Sequence, residues 1–376
     1  MRIMRGHRLY RFVSARLQPV VTTAKDLEEL VAHLAAQPRI GLDTEFLRER
    51  TYRAQLCLVQ LSSSSTAACV DPVTLQELAP LGTLLTAAGV EKVMHASRQD
   101  LEVLMPLAGL TQPVFDTQIA AALTGQPAQI GYAELVRRVL GIELAKSHTR
   151  TDWTRRPLSP EQLAYALDDV NYLLPLAAQL QERLERLGRL GWLSEELAQL
   201  ADPAALSTDP QLAWQRLKGL RDLDPGRMRL ARALAAWREQ NAITHNRPRG
   251  WILDEAVLRA IVMQVPRSSA QLEAIAEMPA GLVKRRGAEL LRLIEAAQVP
   301  EPPPQLPGRV RPDAARSALQ KKLSGIVQAV AGELALAPEV LATRRDLEQL
   351  ADGERNVPAL SGWRRAVLGE RLLAAL

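Results

Sequence analysis

The sequence predicts an α/β domain followed by a half built of helices alone. From about Val20 to Leu187, short apolar runs alternate with stretches whose apolar residues recur every three or four positions. After about Leu206 the strand signals fade. A Pro-rich run from Val299 to Pro312, stiff by composition, divides the helical half.

The elements follow in order. Strands are expected at Ile40–Phe46, Leu56–Ser62, Thr66–Asp71 and Lys92–Ala96, where apolar and β-branched residues cluster. Helices are expected at Ala24–Ala36, Leu75–Ala88, Asp100–Leu107, Thr117–Leu123 and Tyr132–Leu140. A longer helix should open at Ser159-Pro160-Glu161-Gln162, with Ser159 as cap, Pro160 in the first turn and Gln162 completing a capping box. The resulting division is a basic tail over 1–16, the α/β domain over 17–205, a helical domain over 206–298, the linker over 299–312 and a second helical module over 313–376. The two helical parts share a weak pattern. Gly281 and Gly287 precede Leu290-Leu291, as Gly362 and Gly369 precede Leu372-Leu373.

With 376 residues, 47% of them apolar, the chain is long enough for two or three domains with ordinary cores. A formal charge of +5 favours an acidic partner such as nucleic acid without proving one. Cys57 and Cys69 are the only cysteines, which excludes a disulfide framework and a thiolate zinc site and suits a reducing cytoplasm. The arginines at 2, 5, 8, 11 and 16 are followed by no apolar stretch of a secretory signal, and no apolar run is long enough to span a bilayer.

Four carboxylates carry the chemistry. Asp43 and Glu45 close a strand-like run, so their side chains share one face of it. Asp100 opens a helix behind another strand, where the helix dipole alone would also favour an acid. Tyr165 lies three residues before Asp168 and four before Asp169, and spacing does not choose between the two. Carboxylates gathered in this way repel one another unless cations join them. Hard oxygen donors without Cys or His select Mg²⁺ or Mn²⁺. A pair of such ions can activate water and stabilise the leaving oxygen of a phosphodiester.

Asp43-Thr44-Glu45-Phe46, His95-Ala96-Ser97-Arg98-Gln99-Asp100-Leu101 and Tyr165-Ala166-Leu167-Asp168-Asp169-Val170 resemble the three motifs of the DEDD exonucleases in their tyrosine branch, with Ala164 where the other branch carries His. The stretch Lys146 to Trp153, followed by Arg156-Pro157-Leu158, resembles the ribonuclease D family, and the C-terminal half resembles the paired HRDC modules of that family. This resemblance implies a ribonuclease H-like fold and a 3′→5′ exoribonuclease that releases nucleoside 5′-monophosphates from RNA such as transfer-RNA precursors. It selects Asp169 over Asp168. It implies two ions, one on Asp43, Glu45 and Asp169 and one on Asp43 and Asp100, with Tyr165 positioning the attacking water. No organic cofactor and no membrane partner is expected, and the chain is expected to act as a monomer.

Candidate substrate contacts are Lys146, Arg150 and Arg156 on phosphates, Trp153 either packing that segment or stacking on a base, Phe46 as a wedge, and His95 and Gln99 beside Asp100. A solvated basic loop with a structural Trp, a core Phe and a hydrogen-bonded His are the plainer readings. In the first helical domain, Arg216, Lys218, Arg221, Arg227, Arg229, Arg232 and Arg238 suggest a phosphate-binding face, against ordinary helix charge as the plainer reading. A DNA exonuclease and a non-catalytic RNA-binding protein are the rivals. No complete phosphate-binding loop of a helicase is present.

Overall fold

The computed structural model describes residues 20–144, 151–200, 209–218, 223–299 and 314–376, together with 202, 206 and 220. These divide into two compact units. One holds residues 20–47, 56–200 and 314–376, and the other holds 48–55 and 209–299.

The first unit is built on a six-stranded sheet in the order β1-β4-β3-β2-β5-β6. The strands are β1 (Val20–Val21), β2 (Arg39–Leu47), β3 (Gln55–Ser62), β4 (Ala67–Val70), β5 (Glu91–Met94) and β6 (Val114–Asp116). β1 and β4, β2 and β5, and β5 and β6 run parallel, while β3 and β4 run antiparallel. Each of the four expected strands is present. β1 and β6 were not expected, being two and three residues long, too short for any alternation to register.

Eight helices accompany the sheet among the described residues of this part: α1 (Ala24–Ala35), α2 (Ala79–Thr86), α3 (Arg98–Ala108), α4 (Thr117–Leu123), α5 (Tyr132–Leu140), α6 (Pro160–Asn171), α7 (Leu173–Arg186) and α8 (Leu190–Leu200). α2 starts four residues later than expected. Asp71 folds the preceding chain into a turn, its carboxylate accepting from the Val73 and Thr74 amides and the Thr74 hydroxyl.

The C-terminal helices, Ala314–Leu334, Pro338–Leu341 and Arg344–Ala351, do not form a module apart. Leu323, Val327 and Val330 share one core with Leu123 of α4, Leu176 and Leu180 of α7 and Leu193 of α8. Trp363 stacks on Trp192 with centroids 4.4 Å apart, and Arg364 pairs with Glu196. Arg189 donates to the carbonyls of Leu123 and Leu334. Helical periodicity shows that these helices are amphipathic; it does not show which surface they cover.

The second unit is helical around Pro225–His245, capped by the Asp224 carboxylate on the Arg227 amide. Leu230, Leu234, Leu258, Ile261 and Leu290 fill its core. At its centre Glu239, 1% exposed, accepts from both arms of Arg249, from Arg216 and from the hydroxyl of Tyr52. The expected phosphate face is largely spent on such internal contacts. Arg229 donates to the Ala297 carbonyl, Arg227 pairs with Asp224, Arg232 lies 4.3 Å over the Trp214 ring, and Arg238 is buried. Lys218 remains exposed, and Arg221 lies outside the described residues.

Candidate active site

The site begins on β2. Strand alternation turns Asp43 and Glu45 to one face and buries Thr44 on the other. Gly41, on the same strand, lets a helix come close: a Cβ there would sit 2.3 Å from the Ser62 hydroxyl and 3.1 Å from the Val170 carbonyl. Ser62 donates to that same carbonyl at 2.9 Å, pinning α6 to the sheet beside β2. Glycine inside a strand is a readable sign of close backbone approach, and the sequence offered it.

α6 carries the next two groups. Ser159 accepts from the Gln162 amide and Gln162 returns a bond to the Ser159 amide, the expected capping box. Tyr165 and Asp169 then stand one turn apart, the phenol near enough to act on the Asp169 carboxylate and lower its pKa. Asp168 turns elsewhere, toward Asn171.

Asp100 arrives on the first turn of α3. Asp116 fixes the entry to that helix by accepting from the amides of Ala96 and Ser97 and the Ser97 hydroxyl. Asp100 is buried and accepts from the Thr44 hydroxyl at 2.5 Å. The residue between the two β2 acids therefore ties the third acid to the strand.

The electrostatics show the neighbouring acids acting on Asp43 and Glu45. Asp43 is raised well above the ordinary range by burial, then by Asp100, Asp169 and Glu45. Glu45 is pushed up to about 8 by burial, then by Asp169 and Asp100. Burial raises Asp169 to about 7 against the hydrogen bond from Tyr165, and raises Asp100 to about 6 against that from Thr44. Burial and the neighbouring acids also raise the Tyr165 phenol, which stays protonated at neutral pH. Among the described residues, no three acidic, imidazole or thiol groups already close on one metal position.

A 3′-5′ exonuclease family model matches residues 18–185, and an HRDC domain model matches residues 227–294. Ribonuclease D of Granulibacter bethesdensis is 41% identical over 372 residues, covering 97% of this chain and 93% of that protein. Ribonuclease D of Gluconacetobacter diazotrophicus is 40% identical over 364 residues, covering 94% and 92%. The crystal structure of Escherichia coli RNase D, an exoribonuclease involved in structured RNA processing, matches with a TM-score of 0.85 at 31% identity over 96% of this chain and 99% of that one. This chain belongs to the ribonuclease D family. Like the ribonuclease D fold it shares, it joins an α/β exonuclease domain to a helical HRDC region, and it is a metal-dependent 3′→5′ exoribonuclease.

The residues expected to touch substrate divide into several groups. Arg156 is not a free phosphate contact. Its guanidinium forks onto Asp71 with two 2.6 Å bonds and donates to the carbonyls of Cys57, Trp153 and Arg155. Burial alone would raise Asp71, but these bonds and the Thr74 hydroxyl outweigh it and hold the carboxyl below its usual value. Trp153 is buried and stacks against Tyr165 at 6.2 Å, so it backs the phenol rather than offering a base platform. His95 is likewise held inside. Its Nδ1 lies 2.9 Å from the Thr117 hydroxyl and its Nε2 3.0 Å from the Ile130 carbonyl, and burial lowers its pKa. A neutral ring with Nε2–H donates to the Ile130 carbonyl, while the single proton of the Thr117 hydroxyl is shared between Nδ1 and the Met94 carbonyl. Gln99 is exposed and Phe46 half-buried, both open to a ligand, while Lys146 and Arg150 lie outside the described residues.

One supporting group had no expectation attached. The buried hydroxyl of Tyr132 donates to the Asp168 carbonyl and accepts from the Tyr172 amide, filling the break where α6 passes into α7. An isolated tyrosine on a helix gives no sequence signal for such a role.

Proposed function

We propose that Asp43, Glu45, Asp100 and Asp169 hold two divalent cations, Mg²⁺ or Mn²⁺, and that the enzyme removes nucleoside 5′-monophosphates from the 3′ ends of transfer-RNA precursors and other structured RNA. The observation that supports this reading is the elevation of Asp43 by burial and by the other three acids, and of Glu45 by burial, Asp169 and Asp100, a burial of like charges that cations would relieve. An all-oxygen donor set suits hard ions. When bound, such ions activate water and stabilise charge on the leaving 3′-oxygen.

The chain's own groups supply positioning. Asp43, whose field is shared by the other three acids, is the central carboxylate, with Glu45 and Asp169 toward the attacking side and Asp100 toward the leaving side. Tyr165, a protonated phenol, orients the water through its hydroxyl instead of removing its proton. Glu45 and Asp169 carry protons for part of the time near neutrality, and cation binding must expel them. A monomer acting in a reducing cytoplasm completes the proposal; Cys57 and Cys69 are buried and not joined in a disulfide, and no described helix is long and apolar enough to cross a membrane.

The test is a time course on a 3′-extended transfer RNA with product identity scored. Asp43→Asn and Asp169→Asn are expected to melt as cooperatively as the parent and to bind RNA, yet to cut roughly a hundred- to a thousandfold more slowly. Substantial hydrolysis by either variant removes the assignment. Matched DNA and RNA strands digested side by side decide the sugar.

A further inference from the structure

We infer that the second unit carries a docking platform for the single-stranded part of the RNA, made of the exposed indole of Trp251 and the cationic side chains of Arg50, Arg53 and Arg247. The inference rests on the chain acting on RNA, and goes beyond that in naming where the strand is held.

Trp251 is 61% exposed, the most exposed large apolar side chain among the described residues. A scattered exposed leucine needs no explanation, but an indole in water on a firmly mounted turn is a stacking surface. The mount is firm. Trp251 sits in the short helix Arg249–Ile252, its amide donating to the Pro248 carbonyl at 2.9 Å. The preceding Arg249 forks onto buried Glu239 and lies 4.9 Å over the Tyr52 ring. Next to Trp251, a side chain on Gly250 would meet only open space.

Tyr52 belongs to the 48–55 segment, which reads Arg-Glu-Arg-Thr-Tyr-Arg-Ala-Gln, three cations against one anion. Two bonds fix it within this unit: Tyr52 to Glu239, and the Arg53 amide to the Asn246 side chain at 3.0 Å. The second bond brings the Arg53 backbone up to the residue preceding Arg247. The side chains of Arg50, Arg53 and Arg247 are exposed, and none forms an ion pair with another described residue. Glu49 is the one acid of the segment and leaves it net cationic; of two other acids of this unit, Glu239 is buried in its clamp and Asp254 caps the following helix on the Ala256 amide. An aromatic face among cations fits a nucleic-acid strand, whose bases stack without regard to sequence while its phosphates meet arginine. In sequence the segment follows directly after Leu47, the last residue of β2.

The experiment uses the full chain in EDTA with a labelled unstructured oligoadenylate, so that binding is read without cleavage. Trp251→Ala is expected to weaken binding about tenfold, whereas Trp251→Phe, which keeps a ring, stays within about threefold. An Arg50→Gln/Arg53→Gln variant is expected to flatten the dependence of log affinity on log salt by about 1.4. With Mg²⁺ added, all variants should cleave a dinucleotide within about twofold of the parent, because that reaction needs only the carboxylate cluster. Unaltered oligoadenylate binding by Trp251→Ala, as a protein-docking role for the indole would give, overturns the inference; so does an equal loss on the dinucleotide. If the parent binds the oligomer but never shortens it with metal present, the exoribonuclease reading fails while the platform stands.

Discussion

Gly41 and Ser62 lie so close that a methyl group on the first would meet the hydroxyl of the second at 2.3 Å. That hydroxyl holds the Val170 carbonyl, one residue after Asp169. Gly41→Ala is therefore expected to cost about 1–3 kcal/mol in denaturant unfolding, as overpacking does. It should also lower turnover, because the helix bearing Tyr165 and Asp169 is pushed off the sheet. A variant as stable and active as the parent would show that the helix tolerates the displacement.

Thr44 ties Asp100 to β2 through a buried hydrogen bond. Removing it with Thr44→Val leaves a buried carboxylate short of a donor, worth about 1.5–3 kcal/mol for a bond to a charged group. The Mg²⁺ concentration for half-maximal activity is expected to rise about tenfold, with Thr44→Ser restoring it. Equal loss in the valine and serine variants would assign Thr44 to packing alone.

The raised carboxylates have a signature in pH. Glu45 at about 8, Asp169 at about 7 and Asp100 at about 6 all lie above ordinary values, so the folded metal-free protein holds more protons than the unfolded chain across that interval. These groups' contribution to stability is then lost as pH rises from about 4 to about 8. Melting in EDTA is expected to fall over this range, and less steeply in Glu45→Gln. Added Mg²⁺, which binds the ionised forms, should raise the melting temperature more at the alkaline end than at the acid end. Equal metal stabilisation at both ends would refute the linkage.

Arg156 offers a control on substrate contacts. Its side chain is 22% exposed and its partner Asp71 only 2%, so Arg156→Ala leaves a buried carboxylate without its cation. The expected cost is about 3–5 kcal/mol of stability, with KM for RNA unchanged at temperatures where the variant is folded. A raised KM without loss of stability would return Arg156 to the substrate.

The sequence made the strands and the capping box at Ser159 legible, because each depends on residues close in the chain; the set of Asp43, Glu45, Asp100 and Asp169 came from the family resemblance, since spacing alone did not choose Asp169 over Asp168. It did not make the fate of the arginines legible. Arg156 finds Asp71 across 85 positions, and Arg249 and Arg216 are drawn to a glutamate that only the folded helix buries. Periodicity marks a side chain's face; a charged group's partner is fixed by topology. For the same reason the sequence left Trp153 open between packing and base stacking, and the fold has it packed as the wall behind Tyr165. The helices after the linker were expected as a module of their own, and they share the sheet unit's core instead.

That shared core bears on how the enzyme can be dissected. A truncation at the Pro-rich run would strip away Leu323, Val327, Val330 and Trp363, and so uncover Leu180, Leu193 and the face of Trp192. The shortened protein would keep every acid of the nuclease centre yet present a broad greasy scar to water, prone to self-association.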